Sequence, residues 1–69
     1  MKYRHRLYPG CYFIDERNGS SWNPVYRDND LPTMESRLAY RQQIIRPGQA
    51  FRLVSPTGEV LKVVEYVKP

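Results

Sequence analysis

The sequence has too little of several residue types to build the common kinds of catalytic or metal site. It contains one cysteine, Cys11, and one histidine, so no internal disulfide can form and no cysteine pair can hold a structural zinc. That histidine, His5, lies between Arg4 and Arg6, which disfavour its protonated form and offer no acid to orient it. No phosphate-binding loop or nucleophile elbow is present. We therefore expect no enzyme, no metal and no cofactor.

Long apolar runs are also missing. The mean hydropathy is −0.69, and no segment approaches the roughly 20 apolar residues that a transmembrane helix needs. The basic start of the chain, residues 1–6, is not followed by the apolar stretch of a secretory signal. These features predict a cytoplasmic protein that does not contact a membrane.

Arginine supplies most of the positive charge that is present. The chain contains eleven Lys and Arg residues and seven Asp and Glu residues, which gives a net charge of +4. Eight of the eleven cations are Arg. The planar guanidinium group binds carboxylates and phosphates through paired hydrogen bonds, so the composition favours an acidic protein surface or a nucleic acid as partner. A core this small stabilises a fold by only about 3–5 kcal/mol, which makes a homodimer a further alternative.

The dipeptide Asn18-Gly19 predicts a hairpin over residues 11–27. Both residues tolerate the positive φ angles of a type I′ turn. A two-residue loop at this dipeptide places Asp15 opposite Trp22. We then expect one face of the hairpin to hold Cys11, Phe13, Trp22, Pro24 and Tyr26, with Cys11 packed as a small apolar side chain.

Residues 33–45 are predicted to form the one helix. Asp30 or Thr33 can cap its first amides, and Pro47-Gly48 prevents its continuation. Cations near its end complement the helix dipole. The apolar stripe of this helix consists of Met34, Leu38 and Ile45.

A second hairpin is predicted over residues 50–67. Its turn is Ser55-Pro56-Thr57-Gly58, where proline suits the second turn position and glycine a left-handed one. If Ser55 lies opposite Glu59, the outer face places Arg52 across from Lys62, two like charges that repel each other, beside Val54 and Val60. The core face then consists of Phe51, Leu53, Leu61 and Val63.

The order β-β-α-β-β predicts a single α+β domain over residues 1–69. Its simplest arrangement is a small antiparallel sheet with the helix packed on one face. An extra N-terminal strand over Tyr3–Tyr8 is a further possibility. A small SH3-like β-barrel, with the helix in a long connection, is the alternative fold.

Two surfaces are candidate binding sites. Arg37 and Arg41 stand one helical turn apart with no acid at a matching spacing, so they repel each other unless a partner supplies the counter-charge. The expected partner-binding residues on the helix and outer sheet face are Arg37, Tyr40, Arg41, Arg46, Arg52, Lys62 and Tyr66. The N-terminal segment alternates cations with aromatic residues, as do proteins that stack bases while they neutralise phosphates. The nucleic-acid-binding residues of this alternative are Tyr3, Arg4, Arg6 and Tyr8.

These features favour a non-enzymatic protein that docks on a larger, acidic-surfaced protein and inhibits or modulates it. In size, charge and order of elements, the chain resembles the small accessory proteins that bacteriophages encode to bind and disable host machinery. The resemblance implies action by occupying a partner's surface. Binding of single-stranded or structured nucleic acid is the alternative function.

Overall fold

A computed structural model of the chain describes residues 8–67. Four strands and one helix follow in the order β1 (Tyr12–Asn18), β2 (Ser21–Asp28), α1 (Leu31–Ile44), β3 (Ala50–Val54) and β4 (Val60–Glu65). The strands form one open antiparallel sheet in the order β2-β1-β3-β4. This confirms the predicted α+β fold. The SH3-like barrel is wrong, because β2 and β4 remain separate edges of the described sheet. The expected N-terminal strand lies outside the described residues, apart from Tyr8, which precedes β1.

Helix α1 begins at Leu31, two residues before the predicted start. Asp30 is its N-cap, because the carboxylate of Asp30 accepts hydrogen bonds from the backbone N–H and the hydroxyl of Thr33. Pro32 lies in the first turn, where its missing N–H has no intrahelical partner to lose. Within residues 8–67, no helix is both long and apolar enough to cross a membrane.

The core lies between α1 and one face of the sheet. Met34 and Leu38 project from the helix onto Phe51 and Leu53 of β3, as the apolar patterns predict. The buried cluster consists of Ile14, Met34, Leu38, Phe51, Leu53 and Val64, and Tyr12, Tyr26, Leu31 and Ile45 pack against it half-buried.

A bulge in β4 changes the expected pairing of the second hairpin. The backbone bond from Ser55 to Glu59 forms as predicted, at 2.8 Å, and Val54 pairs with Val60. Leu61 is then the extra residue, so Leu53 pairs with Lys62. The predicted pairs of Phe51 with Val63 and of Leu53 with Leu61 are wrong: Val64 faces Phe51, while Leu61 and Val63 are 46% and 47% exposed.

A second bulge moves Tyr26 to the other face of the sheet. The first turn is Gly19-Ser20, one residue later than predicted, and only Gly19 has a positive φ, of 65°, which is the pattern of a type II′ turn. Asp15 therefore pairs with Pro24 rather than Trp22, and Val25 is the extra residue. Beyond it, Tyr26 pairs with Ile14 and faces the helix.

Candidate functional site

Tyr26 packs half-buried between the sheet and helix α1, and two arginines of the helix meet its ring. The guanidinium carbons of Arg37 and Arg41 are 4.9 Å and 5.0 Å from the ring centroid. Both distances fall within the roughly 6 Å range of a cation–π interaction. Arg41 also donates a hydrogen bond from Nη2 to the Tyr26 hydroxyl. These three residues form the arginine–tyrosine cluster.

Arg41 is held more firmly than a surface arginine. Its guanidinium carbon is also 5.6 Å from the centroid of the Phe51 ring, and the side chain is half-buried. The Nε atom is buried without a hydrogen-bond partner, which costs about 1–3 kcal/mol for a buried donor. The contacts of Arg41 with the two aromatic rings and with the Tyr26 hydroxyl restrict its side chain, which therefore loses little conformational entropy when it binds a partner.

The exposed helix surface around the cluster is basic and apolar. Positions 37, 40, 41 and 44 fall within one stripe of the helix. Tyr40 and Ile44 are 59% and 47% exposed, so the two cations stand beside free apolar surface. Sequence analysis missed Ile44, although its helical spacing from Arg37 and Arg41 could have shown it. We name this surface, together with Arg46 beyond the helix, the arginine face: Arg37, Tyr40, Arg41, Ile44 and Arg46.

No acidic side chain among the described residues neutralises the arginine face. The ion pair that residues 8–67 do form joins Arg52 to Asp15, at 2.9 Å, on the other side of the sheet. Arg46 is exposed, and its contact with Gln49 is made through its backbone N–H, at 2.9 Å from Gln49 Oε1. The guanidinium groups of the arginine face therefore remain available to external carboxylates.

A shallow hollow adjoins the arginine face where α1 leads into β3. Its volume is about 390 Å³, and its lining residues are Arg41, Ile44, Arg46, Gln49 and Phe51. Gln49 is held in place because its Nε2 donates to Glu16 Oε2 at 3.2 Å while its Oε1 accepts from Arg46. Cationic walls beside apolar surface suit a carboxylate carried on an aliphatic stem.

Arg52 is paired with an acid, whereas the predicted register placed it opposite Lys62. Its Nε lies 2.9 Å from Oδ2 of Asp15, which is fully buried, and its guanidinium carbon lies 4.5 Å from the Trp22 ring centroid. The cross-strand pairing of Arg52 with Asp15 brings these opposite charges together. Arg52 therefore has a structural role on the sheet face opposite the helix.

The expected pair of like charges on the outer face does not form either. Because of the bulge at Leu61, Lys62 lies opposite Leu53, and Val63 takes the position opposite Arg52. Lys62 lines a hollow with Glu35 on the helix side of the sheet. Tyr66 is half-buried just beyond β4, where its backbone N–H donates to the Gln49 carbonyl at 3.4 Å. Of the predicted partner-binding residues, Arg52, Lys62 and Tyr66 therefore lie outside the arginine face.

The structure describes one residue of the alternative nucleic-acid-binding surface, Tyr8. Tyr3, Arg4 and Arg6 lie outside residues 8–67. Tyr8 is 39% exposed, and the Arg27 guanidinium carbon stacks 3.9 Å from its ring centroid. The Tyr8 ring also meets Phe13 edge-on, with centroids 6.4 Å apart. This stack lies away from the arginine face and has one cation of its own.

The excess positive charge of the chain lies in its terminal segments. Residues 1–7 and 68–69 contain four of the eleven cations, Lys2, Arg4, Arg6 and Lys68, and none of the seven acids. Residues 8–67 therefore carry seven cations and seven acids. The arginine face is therefore basic because the acids of residues 8–67 lie elsewhere, and not because these residues carry a net positive charge.

Comparisons with known proteins add no functional information. The chain matches no protein-family model, and neither the curated proteins nor the solved structures contain a significant match. Within residues 8–67, no group of three or more His, Cys, Asp or Glu side chains is placed to hold a metal ion. What the protein does must be inferred from its own residues.

Proposed function

We propose that this chain is a non-enzymatic binding protein that docks on the acidic surface of a larger protein and inhibits or modulates it. The observation that carries the proposal is the convergence of Arg37 and Arg41 on one tyrosine ring, with no carboxylate partner among the described residues. An acidic partner supplies the carboxylates that the described residues do not place beside Arg37 and Arg41. The arginine face is the docking surface.

Electrostatic repulsion within the helix favours this assignment. Arg37 and Arg41 are four residues apart, and like charges at this spacing destabilise a helix by about 0.2–0.5 kcal/mol. The ring and hydroxyl of Tyr26 hold the two guanidinium groups close together in spite of that repulsion. A carboxylate bound between them relieves it, so binding gains energy that the free protein lacks.

The apolar side chains on the arginine face favour a protein over a nucleic acid. Tyr40 and Ile44 are exposed beside the cations. Arginine and tyrosine are enriched in the centres of protein interfaces, where apolar contact and charge recognition combine. A phosphate backbone, by contrast, is bound mainly through charge and gains little from an isoleucine.

The proposal is tested by capture of partners from a cell lysate, with and without nuclease. Three forms of the chain are compared: wild type, Arg37→Glu with Arg41→Glu, and a control with Arg17→Glu and Arg27→Glu. The control makes the same change of charge on the β1–β2 hairpin, away from the arginine face. We expect wild type and control to capture the same protein after nuclease, and the helix variant to lose it.

Folding is checked by far-ultraviolet circular dichroism and thermal unfolding of each variant. Arg37 is exposed, so Arg37→Glu alone keeps the test valid if reversal at Arg41 disturbs the core. Undiminished capture by a folded Arg37→Glu, Arg41→Glu protein contradicts docking through this face. Loss of capture in the control alone moves the binding surface to the hairpin.

Nucleic-acid binding is the second candidate, and one observation favours it. Arg27 of β2 stacks on Tyr8, the last residue of the segment Tyr3–Tyr8, which itself contains Arg4 and Arg6. The measurement is the affinity for a single-stranded DNA oligonucleotide as salt increases. This candidate requires a steep loss of affinity between about 50 and 200 mM salt. It also requires that Tyr8→Ala weakens binding while Arg37→Glu with Arg41→Glu does not.

A further inference from the structure

The two edges of the sheet differ in their protection against further pairing. Strand β2 contains Pro24, which has no N–H to donate, and a bulge at Val25. Strand β4 contains neither proline nor glycine, and its register is regular from Lys62 to Glu65. Among the described strands, β4 is therefore the edge that can accept another strand.

Hydrogen-bonding groups of β4 point away from the sheet at alternate residues. The Tyr66 N–H donates to the Gln49 carbonyl, so these two residues occupy the position of a hydrogen-bonded pair next to the β3–β4 ladder, while the Gln49 N–H donates to the Arg46 carbonyl. Such pairs alternate with non-hydrogen-bonded ones in an antiparallel ladder. The pairs of Val63 with Arg52 and of Glu65 with Ala50 are then non-hydrogen-bonded. The N–H and C=O groups of Val63 and Glu65 consequently face outward.

The side chains along this edge are apolar and exposed. Leu61 is 46% and Val63 is 47% exposed. The two charges of the strand, on Lys62 and Glu65, have opposite signs and cancel. A neutral apolar edge does not attract the acidic partner of the arginine face, but it can meet a copy of itself without net repulsion.

We propose that two copies of the chain pair antiparallel through β4, about a two-fold axis, so that their sheets form one continuous eight-stranded sheet. In such an isologous contact each outward-facing N–H and C=O meets the matching group of the second copy. The pairing is independent of docking through the arginine face, which lies on the helix.

The charges of β4 select one register for the pairing. Registers centred on Lys62 or Val63 place the two lysines directly opposite or diagonally, about 7–8 Å apart, where they repel. A register centred on Val64 aligns the same outward backbone groups and separates the lysines. Val63 then lies opposite Glu65 of the second copy, and Lys62 lies opposite Tyr66 of the second copy. Lysine beside an aromatic ring is a favourable contact.

Sedimentation equilibrium of the purified chain tests the pairing between about 10 μM and 1 mM protein, because the dimer fraction grows with concentration. We expect the mass to rise from the 8.2 kDa of the monomer towards twice that value. Val63→Pro removes an N–H that β3 does not use, so it should stay monomeric with β3–β4 intact. Val63→Thr retains the N–H and a β-branched side chain, and should still dimerise.

A charge exchange tests the register and keeps the test valid if the proline variant fails to fold. Val63→Glu places an acid opposite Glu65 of the second copy and should weaken the dimer at least tenfold. Adding Glu65→Lys to that variant makes the opposing pair attractive and should restore association. A wild type that stays at 8.2 kDa throughout overturns the proposal, as does a dimer that persists in folded Val63→Pro or one that the second substitution fails to restore. Capture through the arginine face should be unchanged in Val63→Pro, so the two proposals fail separately.

Discussion

Arg41 donates a hydrogen bond from Nη2 to the hydroxyl of Tyr26, fifteen residues earlier in the chain. The bond joins helix α1 to edge strand β2, and it depends on the extra residue Val25, which turns Tyr26 towards the helix. Arg37 meets the same ring from one turn earlier. Tyr26 thus connects the packing of the helix with the positioning of the arginine face.

Removing the Tyr26 hydroxyl should affect both of these roles. Tyr26→Phe keeps the aromatic ring for both arginines but deletes the acceptor of the Arg41 hydrogen bond. We expect the free energy of unfolding to fall by about 0.5–1.5 kcal/mol, measured by urea denaturation, because the lost bond involves a half-buried group. Partner capture should weaken, since Arg41 is less firmly placed. A variant with unchanged stability and capture contradicts this role.

The ion pair between Arg52 and Asp15 should contribute strongly to stability. Asp15 is fully buried, and Arg52→Ala removes a charge bonded to its carboxylate. We expect a loss of about 1.5–3 kcal/mol in urea denaturation, because the variant loses a hydrogen bond between two charged groups, one of them buried. The control is Lys62→Ala, an exposed cation in the neighbouring strand, which should change stability by less than about 0.5 kcal/mol. Equal effects contradict the assignment of Arg52 to a structural role.

A pair of leucines tests the bulge in β4. Leu38 is 2% exposed in the core, whereas Leu61 is 46% exposed. Leu38→Ala should destabilise the fold by about 2–5 kcal/mol, because it leaves a cavity, while Leu61→Ala should cost much less. Both are compared by thermal and urea unfolding at one low protein concentration, where association does not contribute. Similar losses at the two positions place Leu61 in the core and exclude the bulge.

The start of helix α1 should depend on Asp30. Asp30→Ala removes the acceptor of the Thr33 backbone N–H and should reduce the free energy of unfolding by about 1 kcal/mol. Asp30→Asn retains a capping oxygen and serves as the control, with a loss well below that of the alanine variant. If the two substitutions are equally destabilising, the carboxylate acts by charge instead of as a cap.

Local sequence patterns predicted the elements of the fold and the helix residues of the candidate site, but not Tyr26. Turn residues marked both hairpins, and apolar spacing identified Met34, Leu38, Phe51 and Leu53 as core. Helical spacing alone places Arg37, Tyr40 and Arg41 on one surface. Neither pattern identified Tyr26 as the residue beneath the arginines, because a tyrosine in a strand has the same local sequence signature on either face.

The sequence by itself determined the order of the elements and the apolar stripe of the helix, because these follow from residue type and short-range spacing. Only the tertiary structure decided which side chains meet across strands. One extra residue in a strand reverses the face of every residue beyond it, and the bulges at Val25 and Leu61 turn Tyr26 and Val64 towards the core. That reversal moved Tyr26 to the arginines, exposed Leu61 and Val63, and separated Lys62 from Arg52.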